Sequence, residues 1–149
     1  MKTHVSHSLA ETEQIAIDWL ADVTKKYSDT DAAIVVGLSG HLGAGKTAFV
    51  KLVAKNLGIE ETVTSPTFVI MKIYPTKHPL FRRLVHIDAY RLERPEELQV
   101  LNFEKIVSDK NNLVMVEWPE NIAGALSKGY STISFAIEME DQNKRTISF

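Results

Sequence analysis

The sequence predicts an α/β fold in one domain, with a mixed, largely parallel central sheet and a C-terminal β-hairpin. Three observations carry this expectation. Near-continuous apolar runs at 33–36 and 113–116 have the character of parallel strands covered on both faces. Helical periodicity separates such runs early in the chain. Late in the chain Ile133, Phe135, Ile137 and Met139 alternate with other residues, then the turn Asp141-Gln142-Asn143 leads to Ile147 and Phe149.

Each element has a local reason. Ser8 and Glu11 form a capping-box pair ahead of a helix whose apolar face carries Ile15, Trp19 and Val23, with Ala16 and Leu20 beside them. A polar loop at 27–31 leads into a buried strand at 33–39. A second helix runs through 48–57, with Phe49, Val53 and Leu57 on one face and Gly58 fitting its C-cap. After a loop at 62–66, a strand-like run at 67–74 is broken at 75–79 and pairs as a hairpin with a strand at 84–88. Arg94-Pro95-Glu96-Glu97 opens a short helix with its proline in the first turn. Another short helix covers 103–108. Asn111 and Asn112 then turn into the strand at 113–116, which Trp118-Pro119 ends.

Composition narrows the class. With 149 residues, 44% apolar and 24% charged, the chain can bury a core without staples. It has no cysteine, so disulfides and thiolate metal sites are excluded. A net charge of −2 supplies no basic field for direct nucleic-acid binding. No stretch reaches the ~20 apolar residues of a membrane span, and Met1-Lys2-Thr3-His4 lacks the apolar core of a signal peptide. No membrane association and a cytoplasmic location are expected.

The most specific segment is Gly40-His41-Leu42-Gly43-Ala44-Gly45-Lys46-Thr47, which matches G-x-x-x-x-G-K-[ST] between a strand and a helix. Its glycines let successive N–H groups point inward as an anion nest, and the helix beginning near Lys46 adds its positive dipole end. Lys46 reaches the β- and γ-phosphates of a nucleotide, and Thr47 offers its hydroxyl to Mg²⁺. Residues Gly40, His41, Leu42, Gly43, Ala44, Gly45, Lys46, Thr47 and Ala48 are the candidate nucleotide-binding set. A glycine turn that merely caps a helix needs one glycine and no Lys-Thr pair in register.

Hydrolysis also needs an acid near the metal. Glu117 and Asp88 each follow a predicted strand directly, at the carboxyl end where α/β sheets bind ligands. Lys46, Asp88 and Glu117 are the catalytic candidates, and Thr47 with Glu117 the metal candidates. Thr64-Ser65-Pro66-Thr67 is either a segment that senses the γ-phosphate or an ordinary Ser-Pro turn. His86 alternates with Asp88, but a lone strand histidine is more often packed or solvated. Arg91 suits either transition-state charge or an ion pair, and Trp118 suits core packing better than base stacking. Lys72, Lys77, His78, Arg82 and Arg83 form a basic loop, read as a solvated surface.

Gly-His-Leu-Gly-Ala-Gly-Lys-Thr, Thr-Ser-Pro-Thr-Phe, His-Ile-Asp-Ala-Tyr-Arg and Val-Glu-Trp-Pro-Glu stand in this order and at these spacings. In them the chain resembles the TsaE family, small bacterial P-loop ATPases of tRNA N6-threonylcarbamoyladenosine (t6A) biosynthesis. The resemblance runs from the first helix to about Asn121. It implies a three-layer P-loop NTPase-like fold and Mg²⁺-dependent ATP hydrolysis, weak alone. That hydrolysis supports a TsaB–TsaD-type complex which modifies tRNA, so contact with tRNA is indirect. It implies Thr47 and Glu117 as Mg²⁺ ligands, maps the motif aspartate to Asp88, and brings Thr12 to the nucleotide. His41 departs from the family, whose members commonly carry an acid there. Thr24-Lys25-Lys26-Tyr27 and Asn143-Lys144-Arg145-Thr146 both lack the aspartate of guanine-specific motifs, which favours ATP.

Two other readings fit the P-loop. In a small-molecule kinase Arg82, Arg83, Arg91 and Arg94 would form a lid, although no acceptor-binding domain is evident. In an ATP-switched binding module the Ser65-Pro66-Thr67 loop would order on nucleotide binding to permit docking.

Overall fold

The computed structural model describes residues 1–66, 69–127 and 130–149. In chain order the elements are β1 (Thr3–Ser6), α1 (Leu9–Lys26), β2 (Ile34–Ser39), α2 (Lys46–Asn56), β3 (Met71–Pro75), β4 (Arg83–Asp88), α3 (Phe103–Ser108), β5 (Asn112–Glu117), β6 (Ser131–Ile137) and β7 (Arg145–Ser148). Short 3₁₀ helices occupy Tyr27–Asp29, Pro95–Leu101 and Pro119–Ala125. The strands form one seven-stranded sheet in the order β1-β7-β6-β2-β5-β4-β3. Its central strands β6, β2, β5 and β4 are parallel, and β7, β1 and β3 add antiparallel edges. The expected mixed, largely parallel sheet is therefore present. Among the described residues no helix is long and apolar enough to cross a membrane.

The near-continuous apolar strands are explained by cover on both faces. On one face α1 and α2 seal a core of Trp19, Val23, Phe49, Val53, Leu38, Leu113, Met115 and Ile133. Phe49 is the hub: Trp19 meets its ring edge-on at 5.8 Å between centroids and Phe135 at 5.4 Å. On the other face Val85, Ile87, Val114 and Val116 pack beneath Leu98, Phe103, Ile122 and Leu126, supplied by α3 and the short 3₁₀ helices.

Local signals worked where a side chain acts on its own backbone. Ser8 caps α1 by accepting from Glu11 N at 3.1 Å, while the Glu11 carboxylate returns to His7 N at 2.7 Å, one residue before the N-cap. The hairpin expected from 67–74 and 84–88 exists as β3–β4. It begins only at Met71, because Ile70 adopts a left-handed φ of 66°. Thr67 and Phe68 lie outside the described residues. The turn opened by Pro95 is 3₁₀ rather than α, and the polar loop at 27–31 contains a 3₁₀ turn. The helix over 103–108 matches its expected bounds.

The C-terminal hairpin is β6–β7. Ile133, Phe135 and Ile147 face the core, but Met139 lies past the end of β6 and is 98% exposed. Two placements were not foreseen. β6 joins β2 in parallel, and β1 adds to β7, so the first and last strands lie side by side.

The basic loop is largely neutralised. Lys77 pairs with Glu60, and Arg83 pairs with Asp109 at 2.5 Å. His78 stacks on Phe81, and its Nδ1 accepts from Leu80 N and Phe81 N at 3.1 and 3.2 Å. Burial holds the His78 imidazole below the ordinary histidine value.

Two outcomes follow. Phe49→Ala removes the aromatic hub and should cost about 3–5 kcal/mol, read as a lower urea midpoint at unchanged m-value. For His78, a depressed folded pKa means the unfolded chain binds the proton more readily. Its contribution is therefore complete above about pH 6.5 and is lost as pH falls through the folded value. His78→Asn keeps an acceptor for the two amides but cannot titrate, so its melting temperature should fall less than that of the unaltered protein between pH 7 and 5.

Candidate functional site

Strand β2 delivers the chain to the site. Its own connection leaves toward β3, whereas the connection after its neighbour β5 crosses back to β6, so a crevice opens at the carboxyl ends of β2 and β5. The glycine loop fills that crevice. Gly40 (φ 154°) passes so close to β6 that a Cβ would come within 2.6 Å of the Phe135 carbonyl oxygen. Gly45 holds φ 103°, the left-handed turn from which α2 starts at Lys46.

Lys46 is buried. Its ammonium donates to the carbonyls of Gly40 at 2.5 Å and His41 at 2.9 Å, and lies 4.4 Å from the centroid of the Trp118 ring. Burial pulls its pKa below the ordinary lysine value, while the carboxylates of Glu117, Glu120 and Asp88 pull the other way. A partly desolvated cation among carbonyl oxygens is well placed to receive an anion.

Register brings the acids together. β4 and β5 run parallel and pair Asp88 with Glu117 at their carboxyl ends, while β2 and β5 pair Leu38 with Glu117. Both acids are buried. Thr47 Oγ1 lies 2.8 and 3.0 Å from the two Glu117 carboxylate oxygens, across 70 residues of sequence. Asp88 Oδ1 accepts from Tyr90 N at 3.0 Å, and Ser65 Oγ reaches Asp88 Oδ2 at 3.4 Å. The Ser-Pro loop therefore touches the acid, although its Thr67 lies outside the described residues.

A cleft of about 430 Å³ lined by Leu42, Gly43, Gly45, Lys46, Thr47, Ala48, Ser65, Asp88, Tyr90, Glu117, Trp118 and Arg145 unites most of the expected residues. Next to it, a hollow of about 230 Å³ is lined by Ser8, Thr12, Gly45, Ala48, Phe135 and Arg145, among others. Thr12 is there because Ser6 at the end of β1 bonds its hydroxyl at 2.7 Å, and the Thr12 hydroxyl also donates to Ser8 O at 3.1 Å. A larger cleft of about 710 Å³, between Pro95, Phe103 and Gly124, shares no residue with either.

Residues 6–147 match the family model described as "Threonylcarbamoyl adenosine biosynthesis protein TsaE". The chain belongs to the TsaE family. It is 38% identical over 115 residues to the "tRNA threonylcarbamoyladenosine biosynthesis protein TsaE" of Rickettsia felis, a match covering 76% of this chain and 63% of that protein. It is 35% identical over 114 residues to the protein of the same name from Treponema pallidum, covering 76% of this chain and 81% of that one. The chain thus spans slightly less than two thirds of the first relative and about four fifths of the second. Among solved structures, "Crystal structure of Bacillus subtilus YdiB" is similar with a TM-score of 0.70 at 27% identity, covering 98% of this chain and 82% of that chain. The fold is thus the mixed α/β, P-loop type of the TsaE family.

Four residues of this TsaE-family chain take places at the site that sequence patterns did not assign. His86, where a packed or solvated strand histidine is expected, is fully buried but bonds Glu117 Oε2 through Nε2 at 2.6 Å. Its period-two alternation with Asp88 was the available signal. Arg145 lies against Gly45, where a Cβ would meet its Nε at 3.1 Å. Phe135 backs Gly40. Neither was legible, because only the β2–β6 pairing brings the hairpin to the loop. Trp118, expected to pack, lies over Lys46 and 5.0 Å from the Tyr90 ring. Its φ of 59° turns the chain sharply after Glu117.

Gly45→Ala forces a side chain into a left-handed conformation and against Arg145. Nucleotide affinity should fall about tenfold or more, since such strain costs roughly 1–3 kcal/mol. Titration with a fluorescent ATP analogue measures it.

Proposed function

We propose that this chain is an ATP-hydrolysing factor in the formation of tRNA N6-threonylcarbamoyladenosine. In this reading it works as a single P-loop domain in the cytoplasm, with a TsaB–TsaD-type complex and with tRNA only through that complex. Membership of the TsaE family supports the pathway. The single observation that carries the chemistry is the contact between Thr47 and Glu117 beside the buried Lys46 ammonium.

The triphosphate of ATP occupies the glycine loop, where the main-chain amides of residues 40–48 and the start of α2 meet negative charge. Lys46 exchanges the Gly40 and His41 carbonyls for phosphate oxygens. Two features support placing the adenosine end in the neighbouring hollow: Thr12, Ala48 and Arg145 line it, and it shares Gly45 with the cleft. The donor set fits Mg²⁺. Thr47 and Glu117 are hard oxygen donors already in contact, and the described residues hold no group of three His, Cys, Asp or Glu that could cage a metal alone. A cation here would take its other ligands from water and phosphate, as Mg²⁺ prefers. When bound, the ion would offset charge on the β- and γ-phosphate oxygens. Asp88, held by the Tyr90 amide and reached by Ser65, would orient the attacking water.

Of the four arginines a kinase lid would use, Arg83 stands at the start of β4, the end opposite Asp88, and is paired with Asp109; Arg91 and Arg94 follow the other end of the strand.

The test is phosphate release from ATP with and without a TsaB–TsaD-type complex, together with t6A formation on tRNA. Lys46→Ala and Glu117→Ala should each lower partner-stimulated hydrolysis by at least about a hundredfold. Undiminished turnover in Glu117→Ala would remove that residue's role. Phosphate appearing on a metabolite, and none in water, would decide for a kinase.

A further inference from the structure

His86 has no evident reason to be an imidazole on packing grounds. It lies in the middle of β4, pairs in register with Met115 of β5, and is 0% exposed on the face it shares with Leu84 and Met115, which are equally buried. Its Nδ1 is buried with no hydrogen-bond partner among the described residues. An aliphatic residue would avoid that cost, which is commonly about 1–3 kcal/mol for an unmatched buried polar atom. What the imidazole supplies is its other nitrogen: Nε2 donates to Glu117 Oε2 at 2.6 Å, where the carboxylate is itself nearly inaccessible.

We propose that His86 is the positioning residue that fixes the Glu117 carboxylate for the metal. Among the described residues the carboxylate has two protein anchors, the Thr47 hydroxyl and His86. Of its oxygens, Oε1 is bonded there by Thr47, whereas Oε2 is shared by Thr47 and His86. Once the Thr47 hydroxyl turns to a cation, only His86 still holds the carboxylate. Oε2 stays pinned by the imidazole, which leaves Oε1 as the oxygen available to the cation. Losing this second anchor would let the carboxylate rotate at no cost to the phosphate cradle, which His86 does not touch. The inference rests on the reading of Thr47 and Glu117 as the metal site.

The experiment measures Mn²⁺ binding by electron paramagnetic resonance on the full chain with a non-hydrolysable ATP analogue. Analogue affinity in EDTA and melting temperature are measured in parallel. His86→Gln places an amide nitrogen near the position of Nε2, His86→Asn is too short to reach, and His86→Leu removes the donor. His86→Leu and His86→Asn should weaken Mn²⁺ binding about 10-fold or more, as loss of a ligand's supporting hydrogen bond commonly does. His86→Gln should stay within about threefold of the unaltered chain. Affinity in EDTA should be equal for all. Equal Mn²⁺ affinity in His86→Asn and His86→Gln overturns the proposal, and this comparison stands even if His86→Leu does not fold. Parallel loss of affinity in EDTA also overturns it, since it would mean a general collapse of the loop. A separate control, Glu117→Gln, examines the reading beneath: unchanged Mn²⁺ affinity there would show that the metal is held elsewhere, a failure distinct from that of His86.

Discussion

The pairing of β2 with β5 is the constraint on which the site depends. Glu117 can meet Thr47 only because β5 runs parallel to β2 in the register that sets Glu117 beside Leu38, one residue before the end of β2. A one-residue slip would turn every β5 side chain to the opposite face, send Met115 and Leu113 out of one core and leave Val114 and Val116 out of the other. Both faces of the strand are apolar and both are packed, so the slip is resisted from each side. The hydrophobic register that stabilises the sheet thus also aims the carboxylate.

Around that frame the site holds its charges in mutual restraint. The buried Lys46 ammonium is satisfied by two loop carbonyls and the face of Trp118, and its nearest carboxylates lower the cost of its burial. Glu117 is satisfied by a hydroxyl and an imidazole. Each group is bonded to a partner within the protein: Lys46 to loop carbonyls, Thr47 to the Glu117 carboxylate. The resting arrangement therefore keeps the geometry in place without leaving a buried charge unmatched.

Legibility in the sequence followed the range of the interaction. The glycine loop, the α1 cap, the helix over 103–108 and the strand that ends in Glu117 are written in neighbouring residues, and their bounds were readable to within a residue or two. Asp88 and Glu117 were legible as strand-end acids because parallel α/β sheets gather such ends at one rim. Long-range pairing was not legible. β1 is four residues, Thr3–Ser6, too short for periodicity to register, and it exists because β7 offers an edge. Arg145 and Phe135 reach the loop through β6 and β7. His86 was visible as a residue, but its role lies in a contact 31 positions away in the chain. The strand at 67–74 was drawn too long because apolar Val69 and Ile70 read as strand, whereas Ile70 is held in a left-handed bend with its carbonyl accepting from Asp88 N at 2.8 Å.

The closure of the sheet bears on the order in which the molecule can mature during translation. The glycine loop is synthesised early, yet its back wall is the Phe135 carbonyl and Arg145 lies against its last turn. Among the described residues the strand carrying Thr3–Ser6 finds its sheet neighbour in β7. A growing chain that has already placed β2, α2 and β5 still lacks the wall against which Gly40 rests. The back wall of the glycine loop is therefore complete only once β6 and β7 are in place.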